Sequence, residues 1–197
     1  TGKTSLLFRL REQYPSGTVQ HIDIERCATT PERFLDAVIG SSPFPVNSHN
    51  LSPVNPQEAF GTLAAFFKTA RTSDGNPCIF LLDEILELRT FESFPGLRHV
   101  LRELLEVLND STNKFVLTSR YVRRAHRLLR DGPSRLEVMH IPPLSTSDVF
   151  EVLSPILNEY EQLPGNDRND IASTIHALTN GHAGYIRILG EGMAKVD

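Results

Sequence analysis

Only two cysteines, Cys27 and Cys78, occur in 197 residues. They are too few and too far apart to suggest a disulfide framework or a zinc site. Cys78 leads an apolar run, where a thiol serves as a small core residue. No apolar run approaches the ~20 residues that a membrane span needs, and nothing at the start has the pattern of a secretory signal. A chain that opens inside a motif does not display its true beginning, so a cytoplasmic location is the default expectation. Positive charge is not in excess: 20 Lys and Arg stand against 24 Asp and Glu, a net charge of −4. That balance gives no overall pull toward nucleic acid or an anionic membrane, though it leaves room for a local basic patch. Internal repeats and low-complexity tracts are absent. The chain has the composition of a globular protein, 40% hydrophobic and 22% charged, and the length for one ordinary domain plus a small second one.

What is present begins at the first residue. Thr1-Gly2-Lys3-Thr4 is the back half of a phosphate-binding loop, G-x-x-x-x-G-K-[ST]. Gly2 lets backbone approach a polyphosphate where a Cβ would collide. Lys3 brings a point charge to the β- and γ-phosphates, and the Thr4 hydroxyl can ligate Mg²⁺. Ser5 to Leu10 reads as a helix whose free N–H groups and dipole face the anion. Four residues taken alone would equally describe a helix start with an accidental lysine, so the remainder of the chain has to supply matching parts.

The next segments alternate between strand and helix. Gly17 to Ile24 has β-branched alternation after a Pro-Ser-Gly turn, and Thr30-Pro31 caps a short helix running through Ile39. From Gly40 to Asn55 prolines and asparagines indicate a long loop, read as surface and mobile. Asn55, Pro56 and Glu58 open a helix with Phe60, Leu63, Ala64 and Phe67 on its buried face, ended by the turn Asp74-Gly75-Asn76-Pro77.

Cys78-Ile79-Phe80-Leu81-Leu82-Asp83-Glu84 is the second informative stretch. A short, continuous apolar run bounded by a turn indicates a strand buried on both faces of a parallel sheet. Acids at the C-terminal end of such a strand stand where open α/β sheets bind ligands. A Walker B segment needs this pair: Asp83 to hold Mg²⁺, usually through water, and Glu84 to polarise the attacking water. The bland alternative, two solvated acids after a core strand, loses weight beside Gly2-Lys3-Thr4. Leu97, Leu101, Leu104, Leu105 and Leu108 then mark an amphipathic helix. Lys114 to Thr118 follows as a strand tipped by Ser119 and Arg120, which places Arg120 to sense a γ-phosphate or, alternatively, as a surface arginine. Tyr121 to Arg130 is a basic helix carrying Arg123, Arg124, Arg127 and Arg130, and Leu136 to Ile141 reads as a fourth strand. Beyond Pro142-Pro143 only helices are expected: one capped by Ser145 and Asp148 with Val149, Leu153, Ile156, Leu157 and Tyr160 on one face and Pro155 as a kink, one over Asp170 to Leu178, and a last one from Gly184.

Competing nucleotide-binding classes lack their parts here. Asn113-Lys114-Phe115-Val116 fails the N-K-x-D base-reading motif of GTPases at its acid, and no L-S-G-G-Q signature of ABC-type ATPases occurs. On Thr1-Gly2-Lys3-Thr4, Leu81-Leu82-Asp83-Glu84, Thr118-Ser119-Arg120 and Asn180-Gly181-His182-Ala183-Gly184, the chain resembles AAA+ ATPases over nearly its whole length. It looks most like their STAND branch. The resemblance implies a P-loop α/β domain over residues 1–142, a parallel sheet between helices with its first strand missing from the chain, followed by a helical lid over 143–197. It implies ATP and Mg²⁺ as ligands, with Thr1, Gly2, Lys3, Thr4, Ser5, Gly181 and His182 binding the nucleotide. Thr4 and Asp83 would hold the metal, and Glu84, Arg120 and Lys3 would be catalytic, Arg120 as first sensor. Two departures stand out: Ala183 and Gly184 occupy the place of a proline usual after the lid glycine, and no arginine holds the usual second-sensor place beside that turn.

The implied function is an ATP-driven conformational switch, ATPase activity included, within a larger signalling or defence protein that oligomerises when ATP-bound. Arg130 or Arg135 would then be the candidate finger reaching a neighbouring subunit. The alternatives are a DNA-associated ATPase of the origin-recognition or transposition-regulator kind, using Arg123 to Arg130, and a non-hydrolysing nucleotide-binding scaffold. Glu84 argues against the scaffold. No membrane partner is expected.

Overall fold

The computed structural model describes residues 2–46, 53–130, 135–157 and 165–193. The chain divides into two compact units, Thr4–Val138 and Met139–Asp197, the second also taking in Thr1–Lys3. None of the helices among the described residues is long and apolar enough to cross a membrane.

The first unit is built on a parallel sheet. Its strands are β1 (Val19–Asp23), β2 (Ile79–Asp83) and β3 (Lys114–Leu117), in the order β1-β2-β3. The register pairs Val19 with Ile79 and Asp23 with Asp83 on one side of β2, and Ile79 with Lys114 and Leu82 with Leu117 on the other. All five residues of β2 are buried, the behaviour expected of a strand covered on both faces. Because successive side chains point to opposite faces, β2 serves two cores. Ile79 and Leu81 pack with Val19 and with Leu7 of helix α1 (Lys3–Glu12). Phe80 and Leu82 join a larger core with helices α3 (Pro31–Gly40), α4 (Pro56–Thr69) and α5 (Val100–Asp110), to which Phe34, Leu63, Phe67 and Leu104 belong. Phe80 is the centre of an aromatic group: Phe44, Phe66 and Phe67 meet it edge-on at 5.3, 5.8 and 5.0 Å, and Phe115 stacks on it at 5.4 Å. Full burial of each such side chain stabilises by about 1.5–3 kcal/mol.

The expected starts of these helices have the chemistry assigned to them. Asn55 Oδ1 accepts from Glu58 N–H at 2.8 Å while Glu58 Oε2 accepts from Val54 N–H at 2.8 Å, a reciprocal cap that satisfies two otherwise orphan donors. Thr30 Oγ1 accepts from Arg33 N–H, with Pro31 as the first helical residue. Helix α1 begins earlier than expected, at Lys3 rather than Ser5. Two elements were not anticipated: the four-residue helix α2 (Ile24–Cys27) after β1, and a 3-10 segment (Ile85–Ser93) after β2. Helix α6 (Val122–Arg130) carries no buried residue.

Two expectations need correction. The loop after α3 is not wholly a surface feature, because Phe44 is buried and rests on Phe80; residues 47–52 lie outside the described ones. Leu136–Ile141 is not a strand. Its alternating side chains have the right propensity, but a strand exists only where a neighbour takes its backbone hydrogen bonds, and β1 to β3 pair only with one another. Met139 is accordingly 82% exposed.

The second unit is helical among its described residues: α7 (Thr146–Leu157), α8 (Gly165–Thr179) and α9 (Ala183–Met193). Val149, Leu153, Leu157, Ala172, Ile175 and Ile186 form its core. Tyr160, expected on the α7 face, lies outside the described residues. Ser145 and Asp148 cap α7 reciprocally, Ser145 N–H donating to Asp148 Oδ2 at 2.7 Å and Asp148 N–H to Ser145 Oγ at 3.2 Å. The Ser145 hydroxyl and N–H hold the Asp148 carboxyl below its ordinary range.

Candidate active site

Parallel strands bring their C-terminal ends to one edge of the sheet, and the site is assembled there. Asp83 ends β2 and is only 4% exposed. A carboxylate so placed must have its oxygens satisfied, and both are. The Thr4 hydroxyl donates to Oδ2 at 2.6 Å and the Thr118 hydroxyl donates to Oδ1. One residue comes from the first turn of α1, one from the end of the central strand and one from just beyond β3. Thr118 also accepts from the Glu84 N–H at 3.0 Å, and its carbonyl accepts from Ile85 N–H at 2.9 Å.

Glu84 has φ 58° and ψ 53°, a left-handed conformation that costs a non-glycine residue about 1–3 kcal/mol and is kept only where surrounding structure enforces it. The enforcing contacts are the Thr118 bond to its N–H and a bond to its side chain, where Oε2 accepts from Arg120 N–H at 3.0 Å. Backbone strain of this kind clusters at active sites and ligand clamps.

Arg120 lies further out and is 43% exposed. Its Nη2 is 2.7 Å from Glu25 Oε1 and 2.9 Å from Glu87 Oε1, and its Nε is 3.8 Å from Glu84 Oε2. Donating hydrogen bonds to Glu25, and next to Glu87, raises the affinity of the guanidinium for its proton. Arg120 is thus an exposed arginine at the sheet edge with a definite set of carboxylate partners.

Gly2, Lys3 and Thr4 stand at the start of helix α1. Gly2 has φ 74°, and a Cβ there would meet nothing within 4 Å, so its backbone lies beside open space immediately before the N-terminus of α1. Lys3 is the first residue of that helix, and Thr4 and Ser5 are exposed in its first turn; Thr1 lies outside the described residues. Among the described residues no group of three or more His, Cys, Asp or Glu side chains forms a metal cage. A Mg²⁺ ion is suited by less: one or two protein oxygens, with phosphates and waters supplying the rest. Thr4 fits that role, since donating its proton to Asp83 leaves hydroxyl lone pairs available to a hard cation.

Gly181 and His182 belong to the helical unit. Asn180 and Gly181 have φ 48° and 70°, closing α8. A Cβ on Gly181 would stand 2.2 Å from the Leu144 carbonyl oxygen, and Leu144 N–H donates to the Gly181 carbonyl at 2.9 Å. Packing within the unit alone therefore requires glycine here. The His182 ring lies 4.5 Å from that of Tyr185. Arg135 Nη1 donates to the Asn109 carbonyl at 2.7 Å and the Ser111 carbonyl at 3.3 Å, closing the end of α5. Arg123, Arg124, Arg127 and Arg130 are exposed on α6, with Arg124 5.1 Å from the Tyr121 ring centroid.

Residue reading had assigned no role to Thr118, Glu25 or Glu87. Thr118 carried a signal, being one register step beyond the Leu82–Leu117 pair and so level with Asp83. The two glutamates carried none, because each enters through an unexpected segment after a strand.

The sequence matches no protein-family model and no curated protein. The structure is similar to solved structures. It aligns with a Walker-type ATPase of Pyrococcus abyssi at a TM-score of 0.66 and 20% identity, over 100% of this chain and 61% of that one. It aligns with the ORC of Drosophila, solved bound to DNA, at a TM-score of 0.60 and 15% identity, over 98% of this chain and 52% of that one. The chain spans less than two thirds of either neighbour. Sheet order and these likenesses together show that the chain has the fold of a Walker-type ATPase.

Proposed function

We propose that the chain binds Mg-ATP and hydrolyses it to ADP and phosphate, acting as a conformational switch. The observation that carries this reading is the Asp83 carboxylate held by the Thr4 and Thr118 hydroxyls, with Glu84 forced into a left-handed backbone beside it. Lys3 and the N–H groups of the first turn of α1 bind the β- and γ-phosphates. Thr4 and Asp83 hold the magnesium ion, which supplies charge neutralisation at the phosphates. Glu84 accepts a proton from the attacking water, and Arg120 reads the third phosphate. The helical unit from residue 143 serves as the lid, and Gly181 and His182 are its candidate nucleotide-binding residues.

The experiment separates binding from chemistry. Glu84→Gln should leave Mg-ATP affinity within about twofold while lowering turnover by about 10²-fold or more, the scale of a lost general base. Turnover at the wild-type rate would remove Glu84 from the chemistry.

Signalling or defence of the STAND kind, with oligomerisation in the ATP state, is the biological setting we favour. A DNA-associated role is the second reading. It is supported by four exposed arginines on α6 and by the likeness to an ORC solved on DNA. Duplex binding that weakens steeply with salt and is lost on replacing Arg123 and Arg127 would favour it.

A further inference from the structure

Arg120 is engaged in a way that a phosphate sensor does not need. Glu25 enters from α2, just after β1; Glu87 enters from the 3-10 segment after β2; Arg120 follows β3. The end of each strand thus contributes one member to the same ion-pair network. Both carboxylates converge on a single nitrogen, Nη2, at 2.7 and 2.9 Å. A guanidinium recognises phosphate best through two parallel N–H bonds, and a nitrogen already donating to two carboxylates is not available for that fork. With Glu84 as a third carboxylate near Nε, three negative groups surround one positive one, a surplus that opposes an incoming anion.

We propose that Glu25 and Glu87 are specificity-determining residues that compete with the third phosphate of ATP for the Arg120 guanidinium, and so set the preference for ATP over ADP. The proposal rests on Arg120 acting as the phosphate sensor. In the structure the two glutamates hold Arg120. ATP gains the guanidinium only by displacing them, leaving two carboxylates without their cation. ADP has no third phosphate and leaves the network as it is. The glutamates therefore weaken ATP selectively and act as a threshold on the switch.

All three side chains are partly exposed, Glu25 at 52%, Arg120 at 43% and Glu87 at 25%. Exposed pairs are weak, so the latch is small and the fold does not depend on it. Calorimetric titration of Mg-ATP and Mg-ADP into the wild type, the Glu25→Gln/Glu87→Gln double variant, Arg120→Ala and the triple variant tests the idea. The double variant should raise the ATP-to-ADP affinity ratio by roughly three- to tenfold, the scale of two exposed ion pairs. In the Arg120→Ala background the same two changes should leave the ratio within about twofold. An unchanged ratio, an equal gain for both nucleotides, or a gain that persists without Arg120 would overturn the proposal. A lower ratio in the double variant would also overturn it, because the glutamates would then be orienting Arg120 toward phosphate. Wild type that binds ATP while the double variant leaves the ratio unmoved removes the latch alone. Wild type that binds neither nucleotide removes the ATPase reading and the latch with it.

Discussion

The sheet edge holds two polar clusters that obey opposite rules. In the inner one Asp83 is buried and both its oxygens accept from threonine hydroxyls. In the outer one Arg120 shares a half-exposed rim with Glu25 and Glu87. A buried carboxylate stripped of its partners keeps the full cost of desolvation, so the inner cluster is rigid and its integrity is part of folding. Water compensates lost bonds at the rim, so those ion pairs rearrange at little cost. A switch that must bind metal at a fixed point and sense a phosphate that comes and goes needs both kinds.

The largest effects should follow changes to the inner cluster. Asp83→Ala should abolish Mg-ATP binding and, by stranding the Thr4 and Thr118 hydroxyls, destabilise the fold by about 1–3 kcal/mol, read from urea unfolding. Thr118→Val keeps the side-chain volume but leaves the Glu84 N–H without its acceptor. It should destabilise by about 1–2 kcal/mol and lower turnover more than it lowers ATP affinity. Stability unchanged in both variants would end the distinction between the two clusters.

At the rim the effect should fall on ligand preference and not on folding. Arg120→Ala should lower the ATP-to-ADP affinity ratio by about tenfold, the worth of a charge-assisted bond to phosphate, with unfolding free energy within about 0.5 kcal/mol of wild type. Equal weakening of both nucleotides would make Arg120 a supporting residue.

The smallest expected effect lies in the helical unit. The Ser145 bonds favour the ionised form of Asp148 and lower its pKa, so the stabilisation it gives is present above the ordinary aspartate value near 3.9 and is lost as pH falls through the lowered one. The stability difference between wild type and Asp148→Ala should be constant near neutrality and close in acid below about pH 4. A gap that persists there would mean the cap does not depend on the charge.

Of the inner cluster, Thr4 and Asp83 were legible in the sequence because they are tied to local patterns, whereas the part played by Thr118 was not. An apolar run followed by two acids marks the end of a buried strand, and Gly2-Lys3-Thr4 marks a helix N-terminus facing phosphate. That Thr4 and Asp83 meet follows from parallel strands ending at one edge. The rim was not legible. Glu25 and Glu87 lie in short segments, α2 and the 3-10 turn, whose periodicity is too brief to read, and the fold alone brings them to Arg120. Leu136–Ile141 failed for the converse reason: its alternation reports propensity, while pairing depends on a neighbour that local pattern does not contain. Gly181 read as a nucleotide-facing glycine, yet the Leu144 carbonyl at 2.2 Å from its missing Cβ gives it a packing reason that no motif discloses.

The central claim is that the inner cluster and the N-terminus of α1 form a Mg-ATP site, and calorimetric titration of Mg-ATP into wild type and Lys3→Ala tests it most directly. The account predicts saturable one-to-one binding by the wild type, lost on removal of magnesium, and none detectable for Lys3→Ala. Equal affinity of the two proteins, or binding indifferent to magnesium, would contradict it.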